Sequence, residues 1–161
     1  MADSFTFAMG DFEAEFPASY RYAKNHMWAL PMPAPENAGL TRYRFGLTAY
    51  AVRLLQDVYF LDWTIDPPAT LTPRMLIGSI ESKKAESDLF TPLAGTLTAI
   101  NDDVLSDPSL INADPYDAAW LIEIEADLDA AAVLLSPDQY ADHLVEAWKV
   151  AQRTIKGQAN T

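Results

Sequence analysis

GSIESKKAESDLF, residues 78–90, carries Lys83 and Lys84 side by side. Together with Met75, Leu76 and Ile77 it predicts a strand over 75–82, a tight turn at the lysines and a returning strand over 87–90. From Ala85 to Trp148 the chain has no other Lys or Arg. A lysine at the tip of such a turn is exposed yet held on rigid strands. A modifying enzyme can therefore reach its amine without unfolding anything. Glu81, Glu86 and Asp88 surround the turn and favour the charged amine, which disfavours Schiff-base catalysis. Taken alone, the pair reads as a solvated turn whose ion pairs are worth ~0–1 kcal/mol each.

The rest of the chain sets the frame for that turn. Its 161 residues fit one domain with modest tails, and 50% of them are hydrophobic, enough for a real core. The net charge of −12 argues against nucleic acid and anionic membrane surfaces and favours basic protein partners. With no cysteine there is no disulfide, Cys-based zinc site or thiol nucleophile, so any sulfur chemistry needs a cofactor. The two histidines do not form a metal pattern. The N-terminus has no apolar leader and no run is long enough to span a membrane, so a cytoplasmic protein is expected.

Residues 1–19 read as a polar and aromatic extension. Strands are predicted at 42–47, at 57–63 as a buried strand, at 96–101 and at 118–125. Residues 64–73 hold three prolines and read as a turn-rich connection, and 101–117 as a loop of short turns. Thr48 caps a short helix to about Leu55, with Leu47, Tyr50, Ala51, Leu54 and Leu55 as its apolar side. A helix is expected over 126–135. A last helix is capped by Ser136, started by Pro137 and stopped by Gly157, with Tyr140, Leu144, Trp148, Ala151 and Ile155 as its apolar stripe. Short strands followed by C-terminal helices imply an α+β, mostly β, chain. The domain is expected over 20–156, with 157–161 as a tail.

The run GSIESKKAESDLFTPLAGTLTAIN (78–101) resembles the lipoylation site of the glycine cleavage H-protein family. Gly78, Glu81, Ser82, Lys84, Ala85, Ser87, Asp88, Pro92, Gly95 and Asn101 stand in register with that pattern. Tyr22, Lys24, His26 and Trp28 look like the family's Y-x-x-x-H-E-W strand. Residues 46–51 (GLTAYA), 107–125 (DPSLINADPYDAAWLIEIE) and 134–144 (LLSPDQYADHL) are similar to further family elements. The resemblance covers about 120 residues, from Tyr20 to Leu144.

The resemblance implies a barrel-sandwich hybrid of two small sheets with C-terminal helices. It implies a non-catalytic carrier with lipoic acid in amide linkage to a hairpin lysine. The family places that lysine three residues after the glutamate and eleven before the glycine, and both counts give Lys84. Glu81 and Gly95 would be read by lipoate-protein ligase. His26 and Asp88 would line the groove where the arm rests, and His143 would lie on the surface. The partners implied are the ligase, dihydrolipoamide dehydrogenase, and either the glycine cleavage enzymes or a heterodisulfide-reductase-like complex.

The departures bear on that last choice. The family's H-E-W reads His26-Met27-Trp28, and Asn25 replaces a small hydroxyl residue. Met27 cannot hold an ammonium as a carboxylate does, a loss of ~1.5–3 kcal/mol for one charge-assisted hydrogen bond. That favours a sulfur-oxidation lipoate-binding protein over a glycine cleavage carrier of aminomethyl groups, which is the alternative. Gln56 and Arg74 stand near two turn glycines of the family, and Lys83 stands where a small apolar residue is usual. An unlipoylated binding module is disfavoured by the intact Glu81, Lys84 and Gly95. A biotin carrier is disfavoured because Lys83 and Ala85 replace its flanking methionines.

Overall fold

The computed structural model describes residues 3–33 and 39–159. Residues 1–2 of the expected extension and 160–161 of the expected tail lie outside the described residues. The chain begins with a hairpin, β1 (Ser4–Met9) and β2 (Phe12–Pro17), which forms a sheet of its own. Next come β3 (Arg21–Tyr22), β4 (Met27–Met32), β5 (Leu40–Leu47), α1 (Ala49–Leu55) and β6 (Val58–Trp63). They are followed by β7 (Ala69–Leu71), β8 (Leu76–Ser82), β9 (Glu86–Phe90) and β10 (Gly95–Ile100). Two short helices, α2 (Asp102–Ser106) and α3 (Leu110–Ala113), lead to β11 (Ile122–Asp127), α4 (Leu128–Ala131) and α5 (Pro137–Ala159).

A six-stranded sheet has the order β3-β4-β5-β11-β10-β7, and a three-stranded sheet the order β6-β8-β9. One apolar core joins them: Phe45, Leu97, Ile122 and Ile124 from the larger sheet meet Leu61, Ile77, Ile80 and Leu89 from the smaller. On the polar side, Arg42 and Arg44 face Glu125 and Glu123 across the β5–β11 ladder, as opposite charges at paired positions should. A second, aromatic core gathers Phe16, Tyr22, Trp28, Tyr50, Tyr140 and Leu144. This arrangement is the barrel-sandwich hybrid expected, mostly β with a few helices.

Several expectations are corrected. Residues 4–17 are not a mere lead-in: Met9, Ala14 and Phe16 are buried in the aromatic core. The prolines of 64–73 frame a strand, β7, rather than turns alone. The strand at 57–63 is an edge strand of the small sheet and only half buried. A bulge between Val58 and Phe60 turns both Tyr59 and Phe60 to solvent. Leu54, expected on the apolar side of α1, is exposed. The helix expected over 126–135 is a single turn, α4, capped by Asp127, whose carboxylate accepts the Ala130 N–H at 2.7 Å. The preceding strand, expected to end at 125, runs on to that cap.

At α5 the cap is as expected. Ser136 Oγ accepts the Gln139 N–H at 3.2 Å, and Gln139 Oε1 accepts the Ser136 N–H at 2.9 Å, a reciprocal capping box. Gly157 does not stop α5, which runs through it to Ala159. Glycine lowers helix propensity by about 1 kcal/mol but terminates only where the chain must turn.

Candidate functional site

The β8–β9 hairpin is laddered as the motif predicts, with Ser79 opposite Asp88 and Glu81 opposite Glu86. Its tip is a four-residue turn, Ser82-Lys83-Lys84-Ala85. The Ser82 N–H donates to Ala85 O at 2.8 Å. The Ser82 hydroxyl donates to the same carbonyl, and accepts the Ala85 N–H at 3.1 Å. A buried serine thus closes the turn from inside, and the family motif's small hydroxyl has a mechanical reason. Lys83 and Lys84 project into solvent. Among the described residues neither ammonium makes an ion pair.

The tip is also anchored from beneath. The Lys83 N–H donates to Asp57 O at 2.8 Å, and the Lys84 N–H to Leu55 O at 3.4 Å. These carbonyls belong to the end of α1 and the loop after it. In that loop Gln56 holds φ 60° and ψ −140°, a conformation that glycine adopts far more readily. Arg74 also has positive φ, at 59°. The two positions near which the family motif has glycines are therefore real turns, made here by residues with side chains.

On β9 the side chains alternate. Glu86, Asp88 and Phe90 are exposed, while Leu89 is buried. The exposed row runs from the lysine turn towards a groove of ≈ 1100 Å³. Four strand steps from Glu86 to Phe90 span roughly 13 Å. Phe90, Leu93 and Val133 give the groove apolar walls, and Lys24, Asp127 and Asp129 add charge. Asn25 ties the β3–β4 turn to this wall by donating to Phe90 O at 3.0 Å.

The other expected residues lie apart. His26 does not line that groove. It points into the aromatic core, with Nδ1 2.8 Å from the Tyr140 hydroxyl and its ring 5.3 Å from that of His143. Burial, helped by the neighbouring His143, lowers its pKa to about 4. His143 lies at the surface, as expected. It is half-buried, and its Nε2 lies 2.9 Å from Lys24 O. Gly95 opens β10 in the larger sheet, not at the turn. Its φ is 151° and a Cβ at this position would lie 2.4 Å from Glu125 O, so the backbone itself demands glycine. Gly78 is likewise confined, since a Cβ would meet Asp62 O at 2.3 Å. Asn101 caps α2 and donates to Ala118 O and Trp120 O.

Met27 is 1% exposed and packs in the main core. It neither lines the groove nor faces the row on β9. A residue so placed cannot select a cargo by touching it, and the ground for preferring sulfur oxidation disappears.

A family model described as glycine cleavage H-protein matches residues 20–147. The chain belongs to the glycine cleavage H-protein family. It is 38% identical over 137 residues to a glycine cleavage system H protein of Mycolicibacterium gilvum, covering 83% of this chain and 99% of that one. It is 40% identical over 133 residues to one from Mycobacteroides abscessus, covering 80% and 96%. A crystal structure of a glycine cleavage system H protein from Mycobacterium marinum superimposes with a TM-score of 0.65 at 29% identity, covering 79% and 97%.

By family membership the chain is a non-catalytic carrier subunit, not an enzyme. These relatives support the glycine-cleavage alternative and give no support to the sulfur-oxidation preference. The β1–β2 hairpin lies outside the family match. Among the described residues no cluster of three or more His, Asp or Glu is placed to hold a metal ion, and no helix is long and apolar enough to cross a membrane.

Proposed function

We propose that this chain is the lipoyl carrier of a glycine cleavage system, with lipoate in amide linkage to Lys84. The observation that carries the reading is the lysine turn itself: an exposed amine on a tip closed by Ser82 and anchored by two backbone bonds, one to the end of α1 and one to the loop after it. The residues fit such a group. Amide formation removes the ammonium charge, so no ion pair has to be broken or left behind. The row from Glu86 to Phe90 leads to a groove with apolar walls, where an uncharged chain can rest. Bound there, lipoate supplies a dithiolane that can take up and release an aminomethyl group, the sulfur chemistry this cysteine-free chain lacks.

The chain's own contribution is presentation. A tethered group reaches a partner's active site at high effective concentration. Asp88 stands in the exposed row midway to the groove, the position from which a carboxylate can face a cationic cargo. The carrier unit is residues 20–156, with the N-terminal hairpin as an addition packed on it. The partners are lipoate-protein ligase, the glycine cleavage enzymes and dihydrolipoamide dehydrogenase, all in the cytoplasm. Glu81, beside the turn, is a recognition residue for the ligase.

The test is intact mass after incubation with ligase, ATP and lipoate. One lipoyl addition is expected in wild type and in Lys83→Arg, and none in Lys84→Arg. Addition to Lys84→Arg would refute the attachment site. For the pathway, the lipoylated chain is then mixed with glycine decarboxylase and glycine. Failure to release CO₂ would refute the glycine-cleavage reading.

A further inference from the structure

Asn112 stands on α3, 28 positions after Lys84, and reaches the loop beneath the lysine turn. Its Oδ1 accepts the Val58 N–H at 2.9 Å, and its Nδ2 donates to Gln56 O at 2.6 Å. One primary amide offers a donor and an acceptor side by side, which suits a backbone C=O and N–H flanking a single residue. That residue is Asp57, whose carbonyl accepts the Lys83 N–H. The segment 55–58 is therefore gripped by Asn112 on one side and grips the lysine turn on the other. It also contains Gln56 in its glycine-like conformation, which a non-glycine residue keeps only when its surroundings impose it.

Ser82 closes the turn internally and, paired with Val58 on β6, holds its base in the sheet, but that pairing ends at Ser82 and leaves the two lysines to be oriented by other bonds. These are the bonds from Lys83 and Lys84 to Asp57 and Leu55, and they are only as firm as the loop that supplies them. We propose that Asn112 is a positioning residue for Lys84: through the Gln56–Val58 loop it fixes the direction in which the hairpin presents the amine to the modifying enzyme. The proposal rests on Lys84 being the attachment point. Alanine removes both contacts. Aspartate keeps the acceptor for Val58 but turns a carboxylate oxygen on Gln56 O.

A turn that samples other directions is competent for only a fraction of the time, and the apparent affinity falls by that fraction. Initial rates of lipoylation are measured on the full apo chain with lipoate-protein ligase, ATP and lipoate over a range of protein concentrations. In Asn112→Ala the KM for the protein is expected to rise about tenfold, the effect of one or two net hydrogen bonds, with kcat little changed. Asn112→Asp should fall between, and it serves if the alanine variant does not fold. Amide exchange at Lys83 should accelerate in both.

Phe16→Ala, which opens a cavity in the aromatic core, separates positioning from general destabilisation. It should lower the melting temperature while leaving KM and Lys83 exchange at wild-type values. Wild-type KM in both Asn112 variants, with Lys84 normally lipoylated in wild type, overturns the proposal. So does a KM in Phe16→Ala that rises as far as in Asn112→Ala. Lipoylation that persists in Lys84→Arg instead refutes the attachment site on which the proposal stands.

Discussion

The imidazole Nδ1 of His26 lies 2.8 Å from the hydroxyl of Tyr140, 114 residues away, and so joins the turn beside the groove to the C-terminal helix. The same hydroxyl is 3.0 Å from Thr48 Oγ1, the N-cap of α1. One arrangement satisfies all three groups. Tyr140 donates to a neutral imidazole, Thr48 donates to Tyr140, and Thr48 Oγ1 accepts the Ala51 N–H at 3.4 Å. Burial raises the pKa of Tyr140, which keeps it a donor. It lowers that of His26 to about 4, which keeps it an acceptor.

A dependence of stability on pH follows. His26 titrates near 6.5 when unfolded and near 4 when folded, so the unfolded chain binds the extra proton between those values. Its contribution is fully present above pH 6.5 and is lost as pH falls towards 4, by up to about 3 kcal/mol. Urea unfolding of wild type and His26→Gln from pH 7.5 to 4 should show the wild type losing stability more steeply. Parallel curves would refute the assignment.

Gln56→Gly should stabilise the chain. At φ 60° and ψ −140° the glutamine side chain holds a backbone that glycine adopts without strain. The gain is about 1 kcal/mol, the strain released less the entropy glycine adds to the unfolded chain. The denaturation midpoint should rise with an unchanged slope. A lower midpoint would mean that the Gln56 side chain makes contacts worth more than the strain.

The N-terminal hairpin makes a third stability test, and this one lies outside the family match. Phe16 is 0% exposed, stacks on Phe5 with ring centroids 4.9 Å apart and meets Tyr140 edge-on at 5.7 Å. Phe16→Ala should destabilise the fold by ~3 kcal/mol. A change under about 1 kcal/mol would show that the hairpin detaches from the core in solution without consequence.

The lysine hairpin was legible because its evidence is local. Alternation places the strands, and the spacing of Glu81, Lys84 and Gly95 aligns a motif. What escaped was set by distant contacts. Residues 4–17 do alternate on both sides of Gly10-Asp11, which is a local hairpin signal, but where that hairpin packs depends on Tyr22 and Tyr140 being there to cover. Asn112 sits in a run of Asx residues that reads as turns. Its role depends on a loop more than fifty residues earlier, and no local pattern carries that. Met27 is the complementary case. Its position in a motif suggested a contact with cargo, but strand β4 turns that side chain inward, where its neighbours are core residues.

Gly95→Ala separates two reasons for one residue. As a signal to the ligase, glycine would be lost with the fold intact. As a backbone requirement, its loss would unfold the chain. The added Cβ would lie 2.4 Å from Glu125 O and 3.2 Å from Ala126 Cα, both backbone atoms of the adjacent strand β11, at a φ that side chains rarely adopt. Neither can yield without breaking the β10–β11 ladder at Thr96–Glu125. The substitution should cost ~3 kcal/mol or more. Lipoylation per folded molecule, measured at low temperature where a folded fraction survives, should then match wild type. A variant with wild-type stability that resists the ligase would reverse this assignment and make Gly95 a recognition residue.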